Sequence, residues 1–365
     1  MKVRVISVFL FAIGVVLGAS ERGEGSGGSS YRVLVLGDLH FDGEEFHRAP
    51  PASVNKRKER ERNLRMWKAR SPRLLETASG RAKAEKAVFA VQLGDLVQGD
   101  CDDRDLQRAM IVRGFGMLKG YFNALPLVIV KGNHDIRTVK KHKDNAVADS
   151  TLMPLVAGEL GIPTPANGNY AFTQGQDLFI GIDGFLPAGE CVAFVKKTLA
   201  EHPKTRYVFF MTHLPILPAS VGSPFWLLPG HHRISALLET RRTVILAAHT
   251  HIPSLVSRST VNGKLVQLIV SSVGTAWSRR VSPAPLGDWP SYAAAVKKHL
   301  AQGKNAVKSE KEWLDMESMG TYTYEQLFYN AGFAVLDVDD RGVAARYYTD
   351  GSDKPALTLP LVSNL

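Results

Sequence analysis

The sequence predicts an α/β domain in which mixed β-sheets are covered by helices. Five short, β-branched apolar segments without strict polar alternation are typical of strands buried on both faces, and amphipathic segments that indicate helices lie between them. Three further pairs of apolar segments are joined by turn-forming residues, which indicates antiparallel hairpins. The 365-residue chain is 45% hydrophobic and 22% charged. That composition supports a sizeable core and excludes a disordered, collagen-like or coiled-coil chain.

The elements follow one another along the chain as an α/β domain requires. The five inner strands are predicted over residues 32–36, 87–93, 127–130, 206–211 and 243–247. Helices are predicted over residues 81–86, 104–122, 190–199 and 233–239. The hairpins pair residues 170–173 with 178–182, 254–261 with 264–270, and 332–338 with 342–348. Because no internal repeat or second composition regime interrupts this order, we expect one domain over residues 31–365.

The amino terminus has the pattern of a secretory signal peptide. Lys2 and Arg4 precede an apolar run over residues 5–17, and small residues follow it. The run is shorter than the ~20 residues that a transmembrane helix needs, so a cleaved signal peptide over residues 1–20 fits better than the alternative of an uncleaved anchor. Residues 21–30 are rich in Gly and Ser and predict a flexible linker. We therefore expect export to a periplasm or to the cell exterior, with no stable membrane span after cleavage.

The formal net charge of +10 favours anionic partners. The basic segment of residues 55–73 is predicted to be a solvated helix or an insert. Alternatively, it forms a rim that attracts an anionic substrate or binds a polyanion. Cys101 and Cys191 are the two cysteines of the chain. In an exported protein they could form a disulfide or stay unpaired, because pairing requires Cα atoms within about 7 Å.

Each inner strand is followed by polar side chains that can bind a metal ion. These residues are Asp38, His40, Asp95, Asn133, His213, His249 and His251. The carboxyl ends of strands in open α/β sheets form a common crevice, and residues at i and i+2 of an extended chain point to the same side. Carboxylate, amide and imidazole ligands suit Mn, Fe or Zn. Seven ligands exceed what one tetrahedral ion needs, which predicts two ions that share a carboxylate.

The motifs around these residues resemble those of the calcineurin-like metallophosphoesterase superfamily. They are GDLH at 37–40, GDLV at 94–97, GNHD at 132–135, THLP at 212–215 and AHTH at 248–251. The resemblance implies a four-layer α/β/β/α sandwich of two mixed β-sheets flanked by helices. It also implies that the first metal is held by Asp38, His40, Asp95 and His251, and the second by Asp95, Asn133, His213 and His249. His134 would then be a catalytic histidine beside the substrate that binds no metal, and Asp135 would orient it.

The function that the resemblance implies is hydrolysis of phosphomonoesters or phosphodiesters by metal-activated water. The substrate would be a phosphate-ester small molecule or a nucleotide. The alternative is a non-catalytic protein that keeps this fold as a scaffold and binds polyanions or partner proteins. Phe225 and Trp226 follow the fourth motif in a loop rich in proline, and we expect them to pack against the protein because aromatic side chains are usually buried.

Overall fold

The computed structural model of the chain describes residues 30–47, 53–101, 103–138, 145–273, 286–303, 305–327, 331–349 and 352–363. The predicted signal peptide lies outside the described residues, as does the predicted linker except for Ser30. Within the described part, two β-sheets pack together and helices cover them on the outside. The predicted fold class, two mixed sheets flanked by helices, is confirmed.

The described residues contain thirteen strands, which form the two sheets. They are β1 (Tyr31–Leu36), β2 (Phe89–Gln92), β3 (Leu127–Ile129), β4 (Tyr170–Gln174), β5 (Asp177–Ile182), β6 (Val208–Thr212), β7 (Thr243–Ala247), β8 (Ser254–Thr260), β9 (Gly263–Ile269), β10 (Thr321–Gln326), β11 (Gly332–Asp339), β12 (Gly342–Thr349) and β13 (Leu357–Ser363). The first sheet has the order β13-β12-β11-β1-β2-β3, and the second has the order β10-β8-β9-β7-β6-β5-β4.

The described residues form eight α-helices. They are α1 (Val54–Ala69), α2 (Ser71–Ala84), α3 (Arg104–Tyr121), α4 (Asn145–Leu160), α5 (Ala188–Glu201), α6 (His231–Leu238), α7 (Trp289–Ala301) and α8 (Ala306–Glu317). The start of α3 is fixed by Asp103, whose carboxylate accepts the N–H of Leu106 at 2.8 Å and so caps the helix. The predicted helix over residues 81–86 corresponds only to the carboxyl-terminal end of α2. The basic segment of residues 55–73 is helical, and it belongs to α1 and the start of α2.

The alternating direction of side chains along the inner strands divides the core into two layers. On β5, Leu178 and Ile180 pack with the helices α5–α8, whereas Phe179 between them packs toward the first sheet. Val208 and Phe209 divide in the same way on β6. Successive side chains of a strand point to opposite faces, so a sheet covered on both faces is apolar throughout. The helices α2, α3 and α4 cover the first sheet, and α5–α8 cover the second.

The strand directions bring the predicted metal ligands to one rim of the sandwich. In the first sheet β1, β2 and β3 run parallel, and in the second sheet β6 and β7 run parallel. Each of these five strands ends within a few residues of a predicted ligand. Cys101 and Cys191 are both buried, and no disulfide joins them. Among the described residues, no helix combines the length and the apolar character needed to cross a membrane.

Candidate metal centre

Backbone hydrogen bonds lock the loops of the site to one another. The N–H groups of Leu39 and His40 donate to the carbonyl oxygen of Asp95 at 2.9 and 2.8 Å. The carboxylate of Asp95 accepts the N–H of His134 at 2.7 Å. The carboxylate of Asp38 accepts the N–H of His249 at 3.1 Å. The loops that follow β1, β2, β3 and β7 therefore position each other, and they do so through two of the predicted ligands themselves.

Glycines in the motifs allow the close approach of these loops. A Cβ atom on Gly132 would lie 2.0 Å from the backbone N of Asp95 and 2.2 Å from its Oδ1. A Cβ on Gly94 would lie 2.7 Å from Nδ1 of His213, and Gly94 also has a φ of +88°. No side chain fits at either position, because real Cβ atoms stay at least 3.0 Å from such neighbours. The pairing of glycine with a ligand in the motifs is thus a packing requirement of the site.

Four predicted ligands have left-handed backbone conformations. The φ angles of His40, Asp95, His249 and His251 are 51°, 52°, 68° and 57°. Such angles are uncommon for residues other than glycine and cost of order 1 kcal/mol each. Strained residues of this kind persist where the surrounding structure fixes them, and they cluster at functional sites. Here all four strained residues contribute side chains to the groups of possible metal ligands.

The side chains form two groups of possible metal ligands that share Asp95. In the first set, ligand atoms of Asp38, His40, Asp95 and His251 all lie within 4.8 Å of one another. In the second set, those of Asp95, His213 and His249 do so. Oδ1 of Asn133 lies 3.1 Å from Nε2 of His213, which brings the amide to the second set. The structure therefore gathers all seven predicted ligands.

The chemistry of these atoms fits a cation. Nδ1 of His213 donates to the carbonyl oxygen of Leu93 at 2.8 Å, so in the neutral ring Nε2 carries a lone pair. That lone pair faces Oδ1 of Asn133 and, at 3.3 Å, Oδ2 of Asp95, which are also acceptors. Oδ1 of Asp38 is buried and has no hydrogen-bond partner among the described residues. Converging buried acceptors repel one another unless a proton or a cation lies between them, and the mixed donor set suits Mn, Fe or Zn.

The pKa values of Asp95, His40 and His249 favour the protonation states that metal binding requires, whereas that of His213 does not. Burial raises the pKa of Asp95, but the charges of His213 and other nearby histidines outweigh it and hold the pKa well below the usual value. Burial lowers the pKa of His40, and it lowers that of His249 to about 3. Burial also opposes the charge on His213, but the carboxylates of Asp95 and Asp38 raise its pKa to about 9. A cation bound there would replace the His213 proton.

His134 lies beside the first set without belonging to either set. Its ring centroid is 4.5 Å from that of His40, and the two rings are nearly perpendicular. Nδ1 donates to the carbonyl oxygen of Gln98 at 2.6 Å, and Nε2 lies 3.0 Å from Nη1 of Arg137. Burial lowers the pKa of His134, and the Arg137 charge adds to that decrease. The ring is thus held on both sides, as a group that acts on a bound substrate would need to be.

Asp135 has a different position from the one expected. Its carboxylate accepts the N–H of Val97 at 3.0 Å and the N–H of Gly132 at 2.8 Å. It therefore joins the second and third motif loops, whereas the His134 ring is oriented by the hydrogen bond that its Nδ1 donates to the carbonyl oxygen of Gln98. Burial, together with the negative charge of Asp95, raises the pKa of Asp135 to about 7.

A central cleft of about 380 Å³ opens over the two sets. Part of its lining, the polar wall, consists of Glu59, Arg62, Asn63, Gln98 and Arg137. Another part, the apolar wall, consists of Pro215, Ala219, Trp226 and Leu227, from a loop that also contributes two serines to the cleft. We did not predict either wall from the sequence. Arg137 lies two residues beyond GNHD, a position that could have drawn attention to it, whereas Arg62 and Asn63 reach the cleft only because α1 folds over the rim.

Trp226 was expected to pack into the protein, and it does not. Its side chain is 54% exposed, and its ring centroid lies 4.3 Å from that of His249. The neighbouring Phe225 is 36% exposed and does not line the cleft. No pattern of apolar residues in this loop distinguishes the two aromatic side chains. The difference between them arises from the path of the loop over the second sheet.

Comparison of the chain with solved structures shows where this fold occurs. A dimetal phosphatase from Danio rerio is 12% identical, with a TM-score of 0.51 over 91% of this chain and 99% of that chain. GAP50, described as the anchor in the inner membrane complex of Plasmodium, is 12% identical, with a TM-score of 0.54 over 92% of this chain and 90% of that one. PhoD is 11% identical, with a TM-score of 0.51 over 94% of this chain and 73% of that one. At these identities the similarity concerns the fold.

A match between the sequence and a family profile identifies the family of the chain. No curated protein sequence matches the chain. The profile of the calcineurin-like phosphoesterases, in contrast, matches residues 31–253, a stretch that contains all five motifs and most of the described chain. The chain therefore belongs to the calcineurin-like phosphoesterase family.

Proposed function

We propose that this protein is an exported phosphoesterase that uses two metal ions to hydrolyse phosphoric esters. The observation that carries the proposal is the pair of ligand sets that share Asp95 on the floor of the central cleft. Two ions that share a carboxylate lie ~3.5 to 4 Å apart in hydrolases of this kind. The amide of Asn133, which could complete the second set, and the imidazole of His134, which would act on the substrate, lie beside the two sets.

The protein's own groups would orient the ester and assist its cleavage. Bound ions would neutralise the phosphate charge and supply hydroxide near neutral pH. His134 lines the cleft next to the first set. Because Nδ1 carries the proton donated to Gln98, Nε2 would donate a proton or a hydrogen bond to the departing oxygen in the imidazolium form of the ring. Arg137, which lies 3.0 Å from that nitrogen, would provide positive charge for the same oxygen or for the phosphate.

The alternative of a non-catalytic scaffold is less consistent with the buried charges. Asp38 and Asp95 are 0% and 1% exposed. Burying a carboxylate is costly unless the charge is paired or binds a metal. A scaffold that binds partners through its surface gains nothing from two carboxylates, an amide and four imidazoles on the floor of a cleft. The arrangement therefore supports metal-dependent catalysis.

The test measures metal content and turnover together. We expect about two ions per chain and hydrolysis of p-nitrophenyl phosphate or bis(p-nitrophenyl) phosphate that depends on Mn, Fe or Zn. Asp95→Asn should lose both properties, because the shared ligand loses its charge. Asp105→Asn is the matched control, since Asp105 lies on α3 with its side chain 91% exposed. A metal-loaded protein that hydrolyses no phosphate ester would favour the scaffold, and full activity in Asp95→Asn would refute the proposal.

Export is supported by the charged and apolar pattern of residues 1–20. Lys2 and Arg4 before an apolar run are the features that signal recognition requires. Expression of the full chain in a bacterial host, followed by fractionation and mass measurement of the amino terminus, tests this part. A product in the periplasm or medium that begins near residue 20 is expected. An intact amino terminus in the membrane fraction would indicate an anchor instead.

A further inference from the structure

The two walls of the central cleft lie next to different ligand sets. On the polar side, His134 contacts the ring of His40, which belongs to the first set. On the apolar side, Trp226 contacts the ring of His249, which belongs to the second set. A phosphorus atom held over both sets would therefore have a polar wall on one side and an apolar wall on the other.

The polar wall suits the group that leaves. Arg137 is a hydrogen-bond donor on this wall, and the adjacent His134 is a proton donor in its imidazolium form. A departing oxygen develops negative charge that such donors stabilise. Asn63 is 1% exposed, and its Oδ1 has no hydrogen-bond partner among the described residues. A buried acceptor of this kind gains a hydrogen bond from a ligand that carries a hydroxyl group. The alcohol that leaves carries such a hydroxyl group, so the polar wall can bind it.

The apolar wall has no role in releasing an alcohol. Its residues offer no charged group, and the largest of them, Trp226, presents more than half of its side chain to solvent at the cleft. Contact with His249 fixes one part of the indole ring. An exposed, fixed aromatic ring beside a reaction centre provides a stacking surface for another aromatic group. Such stacking does not depend on the identity of a base, because every aromatic ring has a π-face.

We propose that the substrate is a phosphodiester whose retained arm carries an aromatic group that stacks on Trp226. This inference rests on the proposed function. Water oxygen forms a new bond to phosphorus, and the bond from phosphorus to the alcohol beside His134 breaks. The alcohol leaves with a proton from water, and the arm on Trp226 remains as the phosphomonoester product. A monoester has one organic arm, which departs along the polar wall, so it leaves the apolar wall without a ligand.

Two diesters with the same leaving group isolate the retained arm. They are bis(p-nitrophenyl) phosphate and methyl p-nitrophenyl phosphate, which differ in whether the retained arm is aryl or methyl. The measured quantity is the ratio of their kcat/KM values in each variant relative to the wild type, so intrinsic reactivity cancels. We expect Trp226→Ala to lower this ratio about tenfold, which corresponds to about 1.4 kcal/mol. Trp226→Phe should restore most of it, since phenylalanine retains a stacking face.

Phe225→Ala is the matched control, because Phe225 is the adjacent aromatic residue and does not line the cleft. It should leave the ratio at its wild-type value. An equal loss for both diesters in Trp226→Ala would refute the stacking role, since it would show only that the ring supports His249. A kcat/KM for p-nitrophenyl phosphate above those of both diesters in the wild type would refute the diester preference. Absence of metal-dependent turnover for all three esters would instead overturn the proposed function, and this inference with it.

Discussion

Replacing Gly132 by alanine tests how tightly the loops of the site are packed. The added Cβ would lie 2.0 Å from the backbone N of Asp95 and 2.2 Å from its Oδ1. Side-chain carbons keep at least 3.0 Å from such atoms, so Asp95 or Gly132 must move by about 1 Å. Asp95 belongs to both ligand sets and also accepts the N–H of His134. The displacement would therefore affect both metal positions and the ring beside them.

The expected magnitude follows from that displacement. Misplacing a reacting group by 1 Å costs about 10²-fold in rate, and here a ligand common to two ions is misplaced. We expect kcat/KM for bis(p-nitrophenyl) phosphate to fall by at least about 10²-fold, with metal content below that of the wild type. Gly116→Ala is the matched control, because Gly116 is an exposed position on α3 with no atom within 4 Å of the added Cβ. That change should stabilise the helix by about 0.5 to 1 kcal/mol and leave turnover unchanged.

The assay combines turnover, metal analysis and thermal unfolding of the three proteins. Unfolding separates a local displacement from loss of the fold, because a folded Gly132→Ala protein with little metal is the predicted result. Wild-type turnover and metal content in folded Gly132→Ala would refute the reasoning, since the loops would then be able to absorb the methyl group without moving the shared carboxylate.

Two other changes test the cleft. His134→Ala should keep its metal ions, because His134 belongs to neither ligand set. Its kcat should fall roughly 10²-fold or more with poor leaving groups. Loss of metal, or an equal fall in kcat with good and poor leaving groups, would contradict the role of His134. Arg62→Gln should raise KM and weaken the salt dependence of KM, because Arg62 lines the cleft. Arg57→Gln, at a side chain 60% exposed on the same helix, should change neither quantity. A salt-independent KM in the wild type would show that the basic side chains do not attract the substrate electrostatically.

The inner strands and the metal ligands were predictable because both depend on local sequence. An apolar run followed by Gly-Asp or Gly-Asn marks a buried strand and the loop after it, and parallel strands bring such loops to one rim. Thus Asp38, Asp95 and Asn133 were predicted together before any contact was known. The glycine at the start of three of the motifs has a physical reason that only the structure shows, namely the close approach of neighbouring chain segments.

Several elements were missed because their patterns are ambiguous. Helix α4 contains Pro154 in its interior, a residue that normally argues against a helix. Strand β10 alternates between exposed and buried residues, but it pairs with β8 from about 60 positions away in the chain. Its Tyr324 stacks on Tyr292 of α7 with ring centroids 4.1 Å apart. Contacts over that distance in the chain decide the structure, and local propensity does not report them.

The walls of the cleft were also beyond the reach of local patterns. Trp226 and Phe225 are adjacent and chemically alike, yet only Trp226 lines the cleft. The basic segment that forms α1 was predicted as a helix or an insert with a solvated or an anion-binding surface. The structure shows that α1 presents Arg62 and Asn63 to the cleft while Arg57 stays exposed. Which side of a charged helix meets a site depends on how it packs, which the spacing of its charges leaves open.

Anomalous diffraction from crystals grown with Mn²⁺ or Zn²⁺ would locate the ions of the proposed two-metal centre. We expect two peaks roughly 3.5 to 4 Å apart, with the carboxylate of Asp95 between them, Asp38, His40 and His251 on one ion, and Asn133, His213 and His249 on the other. A single ion that Asp95 does not bind, or no ion within reach of these side chains at saturating metal, would contradict it.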